Sequence, residues 1–126
     1  MMKKVVSTER APAAIGPYSQ CIVSGNAAYV SGQLPIDPET GAMPDDVGGQ
    51  TRQSLENVKA VLEAAGSSMD LVLKATVLLT DMANFQEMNE VYASYFPQPC
   101  PARVCFAAAA LPKGAKVEID AIAELA

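Results

Sequence analysis

Pro101-Ala102-Arg103-Val104-Cys105-Phe106 and Lys116-Val117-Glu118-Ile119-Asp120, with the turn formers Leu111-Pro112-Lys113-Gly114 between them, are the stretches from which the rest of the chain is placed. Both read as β-strands, and residues two apart in a strand point to the same face. Arg103 and Cys105 therefore share one face of their strand, with Val104 and Phe106 on the other. Taken as neighbours, the two strands bring a cation, a thiol and a carboxylate, Glu118, toward one small anionic ligand. Arginine grips a carboxylate bidentately, and a glutamate beside it can position or deprotonate water. The same residues also fit a plain Arg103–Glu118 ion pair closing a sheet edge.

Working outward, Lys3-Lys4-Val5-Val6 can start a strand, and Gln20-Cys21-Ile22-Val23 and Ala27-Ala28-Tyr29-Val30-Ser31 flank a hairpin signal at Ser24-Gly25-Asn26. From about Asp46 to Ala65 the period becomes helical, with Val47, Leu55, Val58, Val61, Leu62 and Ala65 on one face. Asp45 or Asp46 can cap its start, and Gly66 stands where a C′ glycine belongs. Residues 71–80 read as a largely buried strand. Phe85, Met88, Val91, Tyr92 and Tyr95 mark a second helix, which Pro97 ends. The order is three short strands, helix, strand, helix and two strands. It predicts one α+β domain over residues 1–126: a mixed sheet with both helices packed on one face. The other face then lacks cover.

The composition points the same way. The chain has 126 residues, half of them hydrophobic and 18% charged, with a mean hydropathy of +0.15. A chain of this length buries about two-thirds of its unfolded surface, so the apolar excess predicts a subunit interface. Net charge is −5 and the nine basic residues are scattered, which argues against nucleic acid as a main partner. There is no histidine, so the general base of Ser-His and Cys-His chemistry is missing. Cys21, Cys100 and Cys105 lack paired metal-ligand spacing, and neither metal nor cofactor is expected. No apolar run reaches membrane-spanning length, and Met1–Lys4 lacks the apolar core of a signal peptide. Three thiols in such a chain fit the cytoplasm.

Several stretches together resemble one family: Ala14-Ile15-Gly16-Pro17-Tyr18-Ser19-Gln20, Ser31-Gly32-Gln33, Gln53-Ser54-Leu55-Glu56-Asn57-Val58-Lys59, Pro101-Ala102-Arg103, and Leu111-Pro112-Lys113-Gly114 followed by Val117-Glu118-Ile119. In order and separation they are similar to the RidA/YjgF family, the reactive-intermediate deaminases. The resemblance covers essentially the whole chain. It implies a chorismate-mutase-like α+β fold and a homotrimer whose sheets form a central barrel, with helices outside and active sites between subunits. It also implies hydrolysis of short 2-imino acids, typically 2-iminobutanoate and 2-iminopropanoate, to 2-oxo acids and ammonia.

The resemblance assigns Arg103 as the anchor of the substrate carboxylate and Glu118 as the residue that positions and polarises water. At Cys105 it implies that the backbone carbonyl helps hold that water, a part that needs no nucleophilic thiol. It places Tyr18 near the substrate. Ser31 and Gly32 end a strand, where a glycine lets main-chain N–H groups approach a ligand closely; a plain turn is the other reading. Asn89 lies among Phe85, Met88 and Tyr92 and fits a site or interface contact, or simple solvation. The chain departs from the commoner pattern at Phe106-Ala107-Ala108-Ala109-Ala110, at Asp120, where glutamate is frequent, and at Val104. Alanine is a weak strand former, so either local pairing or interface packing is expected to differ there. Relatives have also been credited with chaperone-like and ribonuclease or translation-inhibiting roles. The acidic balance and missing histidine weigh against the ribonuclease.

Overall fold

The computed structural model describes residues 2–126; Met1, part of the chain start read above as lacking a leader, lies outside them. Six strands, β1 (Lys4–Val6), β2 (Cys21–Ser24), β3 (Ala27–Gln33), β4 (Val72–Leu79), β5 (Ala102–Ala107) and β6 (Val117–Glu124), form one sheet in the order β1-β2-β3-β6-β4-β5. Only β4 and β5 pair in parallel. Two helices, α1 (Val47–Ala64) and α2 (Phe85–Ala93), cover one face.

Local chemistry explains the element ends. The β2–β3 hairpin closes through Gly25-Asn26, with Ser24 opposite Ala27 and Gly25 at φ 60°, the left-handed value that a two-residue turn with glycine first requires. Asp46 caps α1 by accepting from the Gly49 N–H at 3.1 Å. At the other end Ser67 N–H donates to Leu62 O and Gly66 N–H to Glu63 O, at 2.8 and 3.2 Å. With Gly66 at φ 86°, this is the Schellman arrangement.

Alternation sorts the sheet. Val117, Ile119, Ala121 and Ala123 of β6 and Ala75, Val77 and Leu79 of β4 are buried against Leu55, Val58, Val61 and Leu62 of α1 and Met88 of α2. The intervening residues face away from the helices, and register aligns them in rows. Val5, Ile22, Tyr29 and Ile122 form one row, Asp120, Thr76 and Val104 the next, and Glu118, Leu78 and Phe106 the last. Tyr29 and Phe106 there are 47% and 51% exposed. The uncovered apolar face is real in the single chain.

Buried amides tie the loops to this frame. Asn57 Nδ2 donates to Leu34 O and Ile36 O at 3.0 and 2.9 Å. Gln50 joins Pro44 O to the Lys116 N–H. Gln20 accepts from the Thr8 N–H and donates to Pro12 O, both at 2.7 Å.

Three expectations need correction. β5 and β6 are not neighbours: β4 lies between them. The β4–α2–β5 segment is a helical crossover, which makes its two strands parallel partners, and residues 108–116 carry the chain over β4 to its other side. Residues 71–80 are buried on one side only, with Thr76 and Leu78 half-buried. The second helix ends at Ala93, before Pro97. β5 stops at Ala107 within the alanine run.

Candidate functional site

The singled-out residues gather in two separate clusters. In the first, Arg103 and Cys105 lie on the helix-covered face of β5, paired in register with Ala75 and Val77. Arg103 Nη1 donates to Asn89 Oδ1 at 2.7 Å, and its guanidinium carbon lies 4.9 Å from the Tyr92 ring centroid and 5.5 Å from that of Phe85. Phe85, Asn89 and Tyr92 are i, i+4 and i+7 on α2, so one stripe of the helix meets the arginine. Burial pushes the Cys105 thiol up, and the smaller opposing pull of Arg103 does not reverse it. A thiol held protonated is a poor nucleophile.

β5 is an edge strand with one unpaired side. Ala108 N–H donates to Leu79 O of β4 at 2.7 Å. Main-chain groups alternate in direction along a strand, so Val104 and Phe106 bond toward β4. Arg103 and Cys105 turn their N–H and C=O groups to the free edge.

The second cluster is on the opposite face. Glu118 points away from the helices and lies against Gly32 at the irregularity between Val30 and Gln33 of β3. A Cβ on Gly32 would stand 2.8 Å from Glu118 Cδ and 3.1 Å from Cγ, so a larger residue there would have to displace the Glu118 carboxylate from this position. Burial, reinforced by the neighbouring Asp120 carboxylate, raises the Glu118 pKa above the usual range. Asp120 itself accepts the Thr76 N–H at 2.8 Å. Ser31 is committed locally: its hydroxyl donates to Ser19 O at 2.5 Å and its N–H to Gln20 O at 2.9 Å. Those bonds hold the loop carrying Tyr18, whose hydroxyl accepts from the Ile15 N–H at 3.3 Å and whose side is 48% exposed. Tyr18 and Gly32 line one small cavity together. A cavity of about 600 Å³ under the 7–14 loop reaches Tyr18 but not Arg103.

Within one chain the two clusters cannot meet. Leu78 is in register with both Glu118 and Phe106, and Phe106 is on the face opposite Arg103 and Cys105. Arg103 and Glu118 thus lie on opposite faces, two strand spacings or roughly 10 Å apart even before the sheet is crossed. The convergence expected from neighbouring strands is not formed, nor is the alternative ion pair. Among the described residues the ion pair present is Arg10–Glu63, at 2.7 Å. The sequence reading placed Phe85 and Tyr92 on an apolar stripe and missed them as the support of Arg103. Their spacing around Asn89 carried that signal.

Comparison with known proteins completes the assignment. Residues 8–125 match the family described as Endoribonuclease L-PSP. The chain is 55% identical to a RutC family protein of Pyrococcus horikoshii over 97% of its own length and 98% of the relative's. It is 49% identical to the 2-iminobutanoate/2-iminopropanoate deaminase of Salmonella typhimurium over 97% and 98% of the two chains. The crystal structure of Escherichia coli TdcF with bound serine superposes with a TM-score of 0.94 at 47% identity, covering 98% of this chain and 99% of that one. The motifs, the six-stranded fold and these matches agree: the chain belongs to the Endoribonuclease L-PSP family, that of the RidA/YjgF proteins.

Proposed function

We propose that the protein is an enamine/imine deaminase that hydrolyses short 2-imino acids such as 2-iminobutanoate and 2-iminopropanoate, in sites assembled between subunits of a homotrimer. The observation that carries this reading is Arg103. It is oriented by Asn89 and two aromatic rings, yet has no carboxylate partner among the described residues of its own chain. A guanidinium so held is free for the bidentate grip of a substrate carboxylate. A second copy brought to the free edge of β5 and the uncovered sheet face would add the Glu118, Gly32 and Tyr18 cluster that Arg103 lacks. The relative named as a 2-iminobutanoate/2-iminopropanoate deaminase supports the substrate class, and the bound serine of TdcF supports a small amino-acid-like ligand.

In this reading Arg103 fixes the carboxylate, and Glu118 with the outward Cys105 carbonyl holds a water against the imine carbon. The water oxygen bonds to that carbon as the C=N π pair moves to nitrogen. Proton transfer, with Glu118 as the relay, then lets ammonia leave and the 2-oxo acid form. Tyr18 and the Gly32 main chain border the ligand, and Asn89 acts through Arg103. Ser31 contributes by holding the Tyr18 loop. No histidine is needed for a bond that already yields to water. The three unpaired thiols suit a cytoplasmic setting. The ribonuclease in the family description fits less well, because net charge is −5 and histidine is absent.

The test generates the imine in place with a threonine dehydratase and follows its decay with and without the protein. Faster decay with matching release of 2-oxobutanoate is expected; unchanged decay at all protein concentrations would overturn the reading.

A further inference from the structure

We propose that Tyr92 and Phe85 are positioning residues for Arg103, forming an aromatic seat on α2 that fixes the guanidinium while leaving its positive charge uncompensated. This rests on the reading of Arg103 as a carboxylate anchor. An arginine can be oriented by a carboxylate, but that partner must be displaced before an anion binds. Here the guanidinium carbon sits 4.9 and 5.5 Å from the two ring centroids, within reach of the attraction between a cation and a ring face. The single hydrogen bond from Nη1 to Asn89 sets the rotation about that seat and leaves the remaining N–H donors unspent. Rings and an amide orient the group without adding a negative charge to the site.

The seat is firmly built. Tyr92 is only 6% exposed and packs against Phe96, with ring centroids 4.6 Å apart and the planes tilted by 44°. Met88, on the same helix, is fully buried. Glu87 Oε2 accepts the Gly48 N–H at 2.8 Å, tying α2 to the start of α1. The Tyr92 hydroxyl is buried without a hydrogen-bond partner among the described residues, so the contacts that tie this side chain to Arg103 and Phe96 are those of its ring.

The experiment uses the assembled protein with Tyr92→Leu, Phe85→Leu and Tyr92→Phe, and 2-oxobutanoate as the probe ligand. Calorimetry, steady-state imine hydrolysis and the Arg103 Nε–H resonance, identified by its loss in Arg103→Lys, are the readouts. Tyr92→Leu should weaken 2-oxobutanoate binding and raise KM about tenfold, with a smaller fall in kcat. Its Nε–H signal should lose the ring-current shift even without ligand. Tyr92→Phe, which keeps the ring, should restore most of both effects. Where Tyr92→Leu does not fold, half-buried Phe85→Leu carries the same expectation. A folded leucine variant with unchanged probe affinity and unchanged Nε–H signal would overturn the seat. Failure of the unsubstituted protein to bind any 2-oxo acid would instead overturn the anchor reading, and the unligated Nε–H signal would still decide the seat.

Discussion

If Arg103 anchors the substrate carboxylate as proposed, replacing it by alanine removes a charge-assisted, two-pronged contact and should cost about 2–5 kcal/mol of transition-state binding in kcat/KM. Arg103→Lys should recover only part of that, because an ammonium lacks the planar fork. Imine hydrolysis by variants whose melting curves match the parent's is the check. At Glu118 the direction of titration gives a second expectation. Its pKa is raised, first by burial and then by Asp120, so the carboxylate ionises later than an ordinary glutamate. Activity that needs ionised Glu118 should therefore rise with pH through a limb above the usual carboxylate range. Asp120→Asn should move that limb down, and Glu118→Gln should abolish it along with most turnover. Stability runs the other way: a raised native pKa stabilises the fold below the unfolded value and is lost as pH climbs through the folded one. Glu118→Gln should thus lose less stability than the parent over that interval, as melting curves across pH would reveal. Arg103, Cys105 and Glu118 were all legible in the sequence, but their mutual placement was not. Alternation relates Arg103 to Cys105 along one strand; only the register through Leu78 reveals that Glu118 belongs to the opposite face.

The boundaries of α1 were readable because caps are local, whereas α2, without a side-chain cap, ends before the proline that was read as its stop. Asp46 and Gly66 each act through main-chain groups within a few residues. Strand order was not readable, since nothing in Ala102–Ala107 or Val117–Glu124 encodes which neighbour each will choose; the crossover through α2 decides it. The polar side of α1 was also hidden. Gln50, Thr51, Ser54 and Asn57 are all buried, though their residue types read as surface. They predict opposite outcomes. Asn57 satisfies two loop carbonyls, and Asn57→Ala should destabilise by about 2–3 kcal/mol by orphaning them. Ser54 Oγ is buried with no partner, so Ser54→Ala should be neutral or stabilise by up to about 1 kcal/mol. Denaturant unfolding of both variants would check the pair.

For the whole molecule, the two clusters on opposite faces make a stringent test of shared sites. Arg103→Ala and Glu118→Gln chains, each inactive alone, should recover activity when folded together. A mixed interface can pair the intact arginine of one chain with the intact glutamate of its neighbour. Random mixing into closed rings restores about a quarter of the sites. Tagged subunits would report that mixing has occurred; mixed assemblies without recovered turnover would overturn a site shared between Arg103 of one chain and Glu118 of the next. The uncovered face was visible in composition as an apolar excess, whereas how many copies would be needed to cover it was not, because hydropathy carries no symmetry.

The free edge of β5 has a consequence during biosynthesis. A newly made chain bears an unpaired strand whose Val104 and Phe106 are exposed and whose interior holds neither proline nor lysine, the residues that usually guard such edges. Left uncovered, such an edge is a template for pairing with another extended segment. If a second copy covers the edge as proposed, slow or dilute production would lengthen its time uncovered, and the yield of usable protein would depend on how soon the chains find each other.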